Sequence, residues 1–133
     1  MIAHALIVGC GGFIGALLRY LCSQFLGGIS TGAFPLATFV INLVGSFLIG
    51  VMSVLLSAAF PNSRLPLLFV STGILGGFTT FSTFSLETFG LIEESRYLMA
   101  GVYAFGSLAV CLVGVCLGRM IAVSYTSPSP RDS

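Results

Sequence analysis

Four long apolar segments, separated by short polar connections, dominate the pattern of hydrophobic and polar positions. They cover approximately residues 2–26, 34–60, 67–91 and 97–123. Each is long enough for a helix that crosses a bilayer, which needs about 20 apolar residues. The connections "GGISTGAFP", "PNSRLP" and "IEESR" contain glycine, proline or clustered charge, as is typical of turns. The pattern therefore predicts an all-α integral membrane protein with four transmembrane helices.

Composition supports the same class of protein. The chain has 133 residues, of which 56% are hydrophobic and 7% charged, whereas about 25% are charged in an ordinary soluble domain. The apolar character continues past any cleavage site of a secretory signal. We therefore expect a single membrane domain of residues 1–123 in contact with lipid. Residues 124–133 are rich in serine and proline and are predicted to form a disordered tail.

The few charged residues give no clear direction of insertion. The net charge of +1 comes from five arginines and four acidic residues, which excludes a basic surface for nucleic acid. Four spans place both termini on one side, with Arg64, Arg119 and Arg131, while Arg19 and Arg96 lie near the other. Because an excess of positive residues in flanking loops sets orientation, a difference of one predicts that both orientations insert.

Glycines recur inside the segments, as in "GCGGFIGA". In lipid, small residues let helices approach closely, where no hydrophobic force drives them together. Four short helices enclose few polar groups by themselves. We therefore predict an oligomer.

Polar side chains lie deep in the second and fourth segments. Thr38 and Asn42 are four residues apart, and so are Tyr103, Ser107 and Cys111, so each set shares one helical face. Such a face indicates either an interhelical hydrogen bond or a row of donors for a dehydrated anion, with the Asn42 amide as the strongest candidate.

The stretch "GILGGFTTFSTFSLE", residues 73–87, interrupts the apolar third segment. Gly76 and Gly77 weaken a helix, while Thr79 and Thr80 can redirect backbone groups by local hydrogen bonds. The stretch predicts a helix broken in the middle of the membrane, whose freed carbonyls could coordinate a cation. The alternative is a glycine packing notch with back-bonded threonines.

Two phenyl rings follow this interruption. Phe81 and Phe84 are three residues apart and share a face on a resumed helix, beside Thr80 and Ser82. Such rings usually contact lipid or core, but their electropositive edges can also contact an anion without trapping it.

Arg19 and Glu87 are charged side chains inside the first and third segments. Arg19 lies about seven residues before the end of the first segment, where it could snorkel to the interface or attract anions to a pore mouth. Glu87 could pair with an arginine. The sequence leaves these alternatives open.

Three stretches resemble one known family. "GGFIGALLRY", "FPLATFVINLVGSFLIG" and above all "GILGGFTTFSTFSLE" closely resemble the Fluc fluoride channels, also called CrcB proteins, and the likeness covers all four segments. It implies an antiparallel, dual-topology homodimer with two fluoride pores and a central sodium ion. It also implies passive export of toxic cytoplasmic fluoride across the bacterial inner membrane.

The resemblance implies a role for each candidate residue by its motif position. The backbone carbonyls of Gly76 and Thr79 would hold the structural sodium ion, and Arg19 would line an aqueous vestibule. The edges of Phe81 and Phe84 would meet fluoride. Asn42, Tyr103 and Ser107 would also belong to the fluoride pathway. We include Thr38, Thr80 and Ser82 in the predicted pathway because they lie next to Asn42 or the ring pair.

The four cysteines lie inside apolar segments without C-x-x-C or histidine-paired spacing, so they are interpreted as packing residues. Cys111 is a departure from the family pattern, because it stands where the polar track can carry a hydroxyl. A thiol is a weaker donor, so the sequence does not determine which group donates to the anion in the outer part of the path.

Other functions fit the residues less well. A small multidrug-type cation/proton exchanger needs an acid deep in the first span, but the only deep charge there is Arg19. A non-transporting scaffold leaves the predicted break and ring pair unexplained. His4, the sole histidine, has no nucleophile or carboxylate at recognisable spacing, so the protein is not predicted to be an enzyme.

Overall fold

The computed structural model describes residues 1–29 and 32–126. Four regions in it are long and apolar enough to cross a membrane: Ile2–Ile29, Leu36–Ala59, Leu65–Glu93 and Tyr97–Thr126. Within the described residues every regular element is helical. The predicted all-α fold with four apolar spans is therefore confirmed.

The first, second and fourth regions are each a single helix, whereas the third consists of several helical pieces. Helix α1 covers Ile2–Ile29 and α2 covers Leu36–Ala59. The third region consists of α3 (Leu65–Leu67), a π-helix (Leu68–Leu75), α4 (Gly76–Phe78) and α5 (Phe81–Glu93). Helix α6 covers Tyr97–Thr126. Since π-helical turns are rare and concentrate at functional sites, the third region is the one to examine for function.

The fourth helix extends beyond the predicted end of its span at residue 123. Ser124 and Thr126 are helical, and their hydroxyls donate to the carbonyls of Ile121 and Ala122. This back-bonding satisfies the polar side chains without leaving the helix, so the prediction of disorder is wrong for 124–126. The rest of the predicted tail, 127–133, lies outside the described residues.

Glycines set how closely the helices pack. Helix α2 packs chiefly against α6, and α1 against the π-helix. A Cβ atom at Gly50 would overlap the Val115 carbonyl, and one at Gly118 would overlap the Phe47 carbonyl. The two backbones are therefore in direct contact, as small residues permit between membrane helices.

Candidate functional site

The third region leaves helical geometry at two threonines. Helix α4 ends at Phe78, Thr79 has φ −82° and ψ 158°, and Thr80 has φ −150° and ψ 124°. Thr80 is the N-cap of α5, and its hydroxyl accepts from the Thr83 backbone amide at 3.2 Å. Threonine is a favoured N-cap because its oxygen satisfies a free amide at the helix start. We call the extended pair Thr79–Thr80 the break.

Asn42 of α2 holds the break by two hydrogen bonds. Its Nδ2 donates to the Thr80 carbonyl at 3.0 Å, and its Oδ1 accepts from the Thr80 amide at 2.8 Å. Gly45 lets α2 approach, because a Cβ atom there would overlap the Thr79 side chain. An asparagine amide carries two N–H donors. One of them is used by Thr80, which leaves the second for another acceptor.

Two backbone carbonyls lose their helical partners at the break. In an α-helix the amides of Thr80 and Thr83 would close turns on the carbonyls of Gly76 and Thr79. The Thr80 amide donates to Asn42 instead, and the Thr83 amide donates to the Thr80 hydroxyl. Both oxygens therefore keep their lone pairs, and unwound carbonyls of this kind coordinate sodium in membrane proteins. The donor set fits the cation that the resemblance implies.

Arg19 lies at the same place. Its Nε donates to the Gly77 carbonyl at 3.1 Å, so the guanidinium contacts the end of α4. Gly15 brings α1 close enough, because a Cβ atom there would overlap the Ile74 carbonyl. A cation at a helix C-terminus satisfies free carbonyls and complements the helix dipole. The sequence left two alternatives for Arg19, and neither of them includes this contact with the broken helix.

A mostly apolar groove of about 340 Å³, with a few polar groups in its lining, runs from the break along α2 and α6. It brings together seven of the residues that the sequence singled out: Asn42, Thr79, Thr80, Phe81, Phe84, Ser107 and Cys111. The Ser107 hydroxyl is buried and has no hydrogen-bond partner within residues 1–29 and 32–126. A buried hydroxyl without a partner is costly, so this groove offers a free donor to a polar ligand.

The two predicted rings lie side by side at the groove but differ in exposure. The ring centroids of Phe81 and Phe84 are 5.5 Å apart with an interplanar angle of 51°. Phe81 is 78% exposed, whereas Phe84 packs into the core cluster of Leu91, Ala100 and Tyr103. One ring is thus held by its own chain and the other is open to a neighbour.

Tyr103 lies beyond the groove and is completely buried, with 0% of its surface exposed. Its hydroxyl donates to Glu87 Oε1 at 3.0 Å, and the buried Thr38 side chain lies near the Tyr103 hydroxyl. Its ring lies 5.1 Å from that of Phe84. The structure therefore brings Thr38, Tyr103 and Phe84 together, and the partner of Glu87 here is a tyrosine, whereas the sequence suggested an arginine.

Comparison with known proteins supplies the family. The family model described as "CrcB-like protein, Camphor Resistance (CrcB)" matches residues 6–119. The chain belongs to the CrcB family. A fluoride-specific ion channel FluC of Ruminiclostridium cellulolyticum is 47% identical over 124 residues, which cover 93% of this chain and 95% of the relative. The FluC of Clostridium novyi is 44% identical over 118 residues, 88% and 91% of the two chains. The resemblance inferred from the three stretches is confirmed.

In this CrcB chain, the structure adds two residues to the candidate site that the sequence did not single out, and it places Ser82 outside the groove. Ser46, one turn after Asn42, lines the groove, and the spacing of four from Asn42 was a signal that could have found it. Phe34, just before α2, packs against Tyr103, and no periodicity marks a loop residue. Ser82 is exposed, with its hydroxyl 3.3 Å from that of Thr80, and does not line the groove.

Proposed function

We propose that this CrcB protein is a fluoride-selective ion channel through which cytoplasmic fluoride leaves the cell passively. The observation that carries the proposal is the groove, which joins an amide donor, a free hydroxyl and a ring pair. A small, strongly hydrated anion needs replacement contacts at every step, each weak enough to release it. The relatives named as fluoride-specific ion channels support the same anion.

The proposed fluoride route follows the groove and then the Tyr103 end. Asn42 offers its second N–H, Ser107 offers its hydroxyl, and Phe84 offers a ring edge, which is electropositive. Thr38 and Tyr103 would continue the route beyond Ser107. Nothing along it reacts with the anion, so the activity is conduction and not catalysis.

We further propose an antiparallel, dual-topology homodimer with the break at mid-membrane. The groove opens to the side of the single chain and Phe81 is 78% exposed, although polar groups at membrane depth must be covered by protein or line a water-filled cavity. A second copy of the chain would cover both the groove and the Phe81 ring. The near-equal distribution of arginines supports insertion in two orientations.

A structural sodium ion would fit between the subunits. Gly76 is exposed on the single chain, and its carbonyl and that of Thr79 lack helical partners. In a helix these carbonyl oxygens would accept hydrogen bonds from backbone amides. A monovalent cation can take the place of those donors at unwound carbonyls.

The physiology gives such a pore a direction in the bacterial plasma membrane. Hydrogen fluoride enters as a neutral acid and dissociates in a less acidic cytoplasm. An interior-negative potential is worth about 2.3 kcal/mol per charge per 100 mV and favours outward movement of the anion. A passive pore is therefore sufficient for export.

Efflux from liposomes tests the proposal. Reconstituted protein should release fluoride, measured with a fluoride electrode, and retain chloride under the same gradient. Equal fluxes of the two anions would contradict fluoride selectivity. A flux that requires a proton gradient would favour an exchanger instead.

The orientation of the chain in the membrane is tested separately, by adding positive residues to one connection. Several arginines added to the connection "PNSRLP" should force one orientation and abolish efflux. Co-expression with a copy of opposite bias should restore it. Full activity in a uniformly oriented population would overturn the antiparallel dimer while leaving the channel intact.

A further inference from the structure

Phe34 covers the Tyr103 end of the proposed route. The ring belongs to the connection before α2 and meets the Tyr103 ring edge-on, at 5.4 Å between centroids and 85° between planes. It also meets Phe39 at 5.6 Å and 64°. Phe84 contacts Tyr103 at 5.1 Å. Two rings, one from a loop and one from α5, therefore pack against Tyr103.

The route is closed at this point. The groove includes Ser107 but not Tyr103, which lies one turn earlier on α6. Tyr103 has no exposed surface, and its hydroxyl is engaged with Glu87 at 3.0 Å. An anion at Ser107 would therefore meet a buried tyrosine whose donor is already used. Conduction along this route requires something to move.

Phe34 is the ring that can move at the lowest cost. Phe84 and Tyr103 are fixed on α5 and α6, whereas Phe34 lies in non-helical backbone. Its carbonyl accepts from the Leu36 amide at 2.8 Å, which anchors the main chain. Its side chain is held by apolar contacts alone, and edge-on aromatic pairs are individually weak. The ring can therefore rotate away without breaking a hydrogen bond.

We propose that Phe34 is a movable seal at this end of the pore, and that fluoride passes when the ring leaves Tyr103. The inference rests on the proposed channel function, because it assigns a gate to the route defined there. Access past this ring can be measured without any transport.

Thiol labelling measures this access. Thr38, 6% exposed and beside Tyr103, is changed to cysteine in the full-length protein in liposomes. A small cationic methanethiosulfonate reagent is added, and labelling at each cysteine is followed by mass spectrometry of peptides. Cys111 lines the groove and reports on access that does not pass Phe34, so it is the internal control.

Phe34→Ala removes the ring contacts with both Phe39 and Tyr103 and should accelerate labelling at position 38 about tenfold, with the Cys111 rate unchanged. Phe34→Tyr keeps the ring and should label like the parent. Phe105→Ala, which removes a 75% exposed ring on the same helix as Tyr103, should do the same. Equal rates in all variants, or an equal acceleration at Cys111, would overturn the seal.

Fluoride efflux on the same samples separates this proposal from the channel function. If no variant passes fluoride but Phe34→Ala still labels faster, the seal stands and the channel function fails. If all variants pass fluoride equally and position 38 labels equally, the channel stands and the seal fails. Faster efflux together with faster labelling in Phe34→Ala supports both.

Discussion

The two ends of the proposed fluoride route are built from different interactions. At the break, Asn42 forms two hydrogen bonds with Thr80, and Arg19 donates to the Gly77 carbonyl. At the other end, Tyr103 is enclosed by the rings of Phe34 and Phe84, and its hydroxyl donates to Glu87. The first end is held by directional bonds to backbone, and the second chiefly by ring contacts.

This difference indicates which end is rigid. Interrupted backbone in an apolar medium must have every free group paired, and directional bonds select one conformation of the chain. Ring contacts are weak and tolerate displacement. We therefore expect the break to be a fixed scaffold and the Tyr103 end to be adaptable, and the following changes test that contrast in order of expected effect.

The largest effect is expected for Asn42→Leu. The change leaves the Thr80 amide and carbonyl without partners, at about 1–3 kcal/mol each, so the free energy of unfolding in detergent should fall by about 3 kcal/mol. Ser46→Ala, one turn further along the same groove, is the matched control and should change it little. Equal stability of the two variants would show that Asn42 does not hold the break.

Arg19→Met should have the next largest effect. It removes a charged donor from the Gly77 carbonyl, and such bonds contribute about 1.5–3 kcal/mol. Arg119→Met is the control, since Arg119 is exposed and donates to half-buried Ser53, and should cost less than about 1 kcal/mol. Thermal unfolding compares the two. A larger loss for Arg119 would contradict a capping role for Arg19.

Substitutions of the two rings should affect stability and fluoride conduction to different extents. Phe84→Ile changes the shape of a packed side chain and should cost about 1 kcal/mol, and Phe81→Ile should cost as much only if a second copy packs on this ring, because Phe81 is 78% exposed in one chain. Both should reduce fluoride efflux, since an aliphatic group has no electropositive edge. A cost for Phe81→Ile as large as for Phe84→Ile would indicate that a second copy covers this ring. Parental efflux in both variants would make the rings packing residues.

The smallest effect is expected at the turn between α5 and α6, near the Tyr103 end. Ser95 has φ 62°, a left-handed conformation that glycine adopts without steric cost. Ser95→Gly should stabilise the fold by about 0.5 kcal/mol and leave efflux unchanged. Differential scanning calorimetry measures the shift in Tm. A lower Tm would mean that the serine side chain contributes more than its backbone strain costs.

The sequence predicted the elements better than it predicted the contacts between them. Apolar length defined four spans, and "GGFTTF" marked the place where the third one changes, because glycine and threonine affect the backbone locally. Ser82 shows the limit. It follows the break in sequence and has neighbours that line the groove, but its hydroxyl is exposed near Thr80. The direction of the first side chains of α5 depends on the backbone angles at the break, which the sequence does not specify.

By itself, then, the sequence determined the membrane class, the four spans, the family and most residues of the groove. Only the tertiary structure decided that Asn42 binds Thr80, that Arg19 reaches Gly77 and that Phe34 covers Tyr103. Helical periodicity reports which residues share a face of one helix. It does not report which faces meet, and here that depends on glycines such as Gly15 and Gly45, whose missing side chains let backbones approach until distant residues touch.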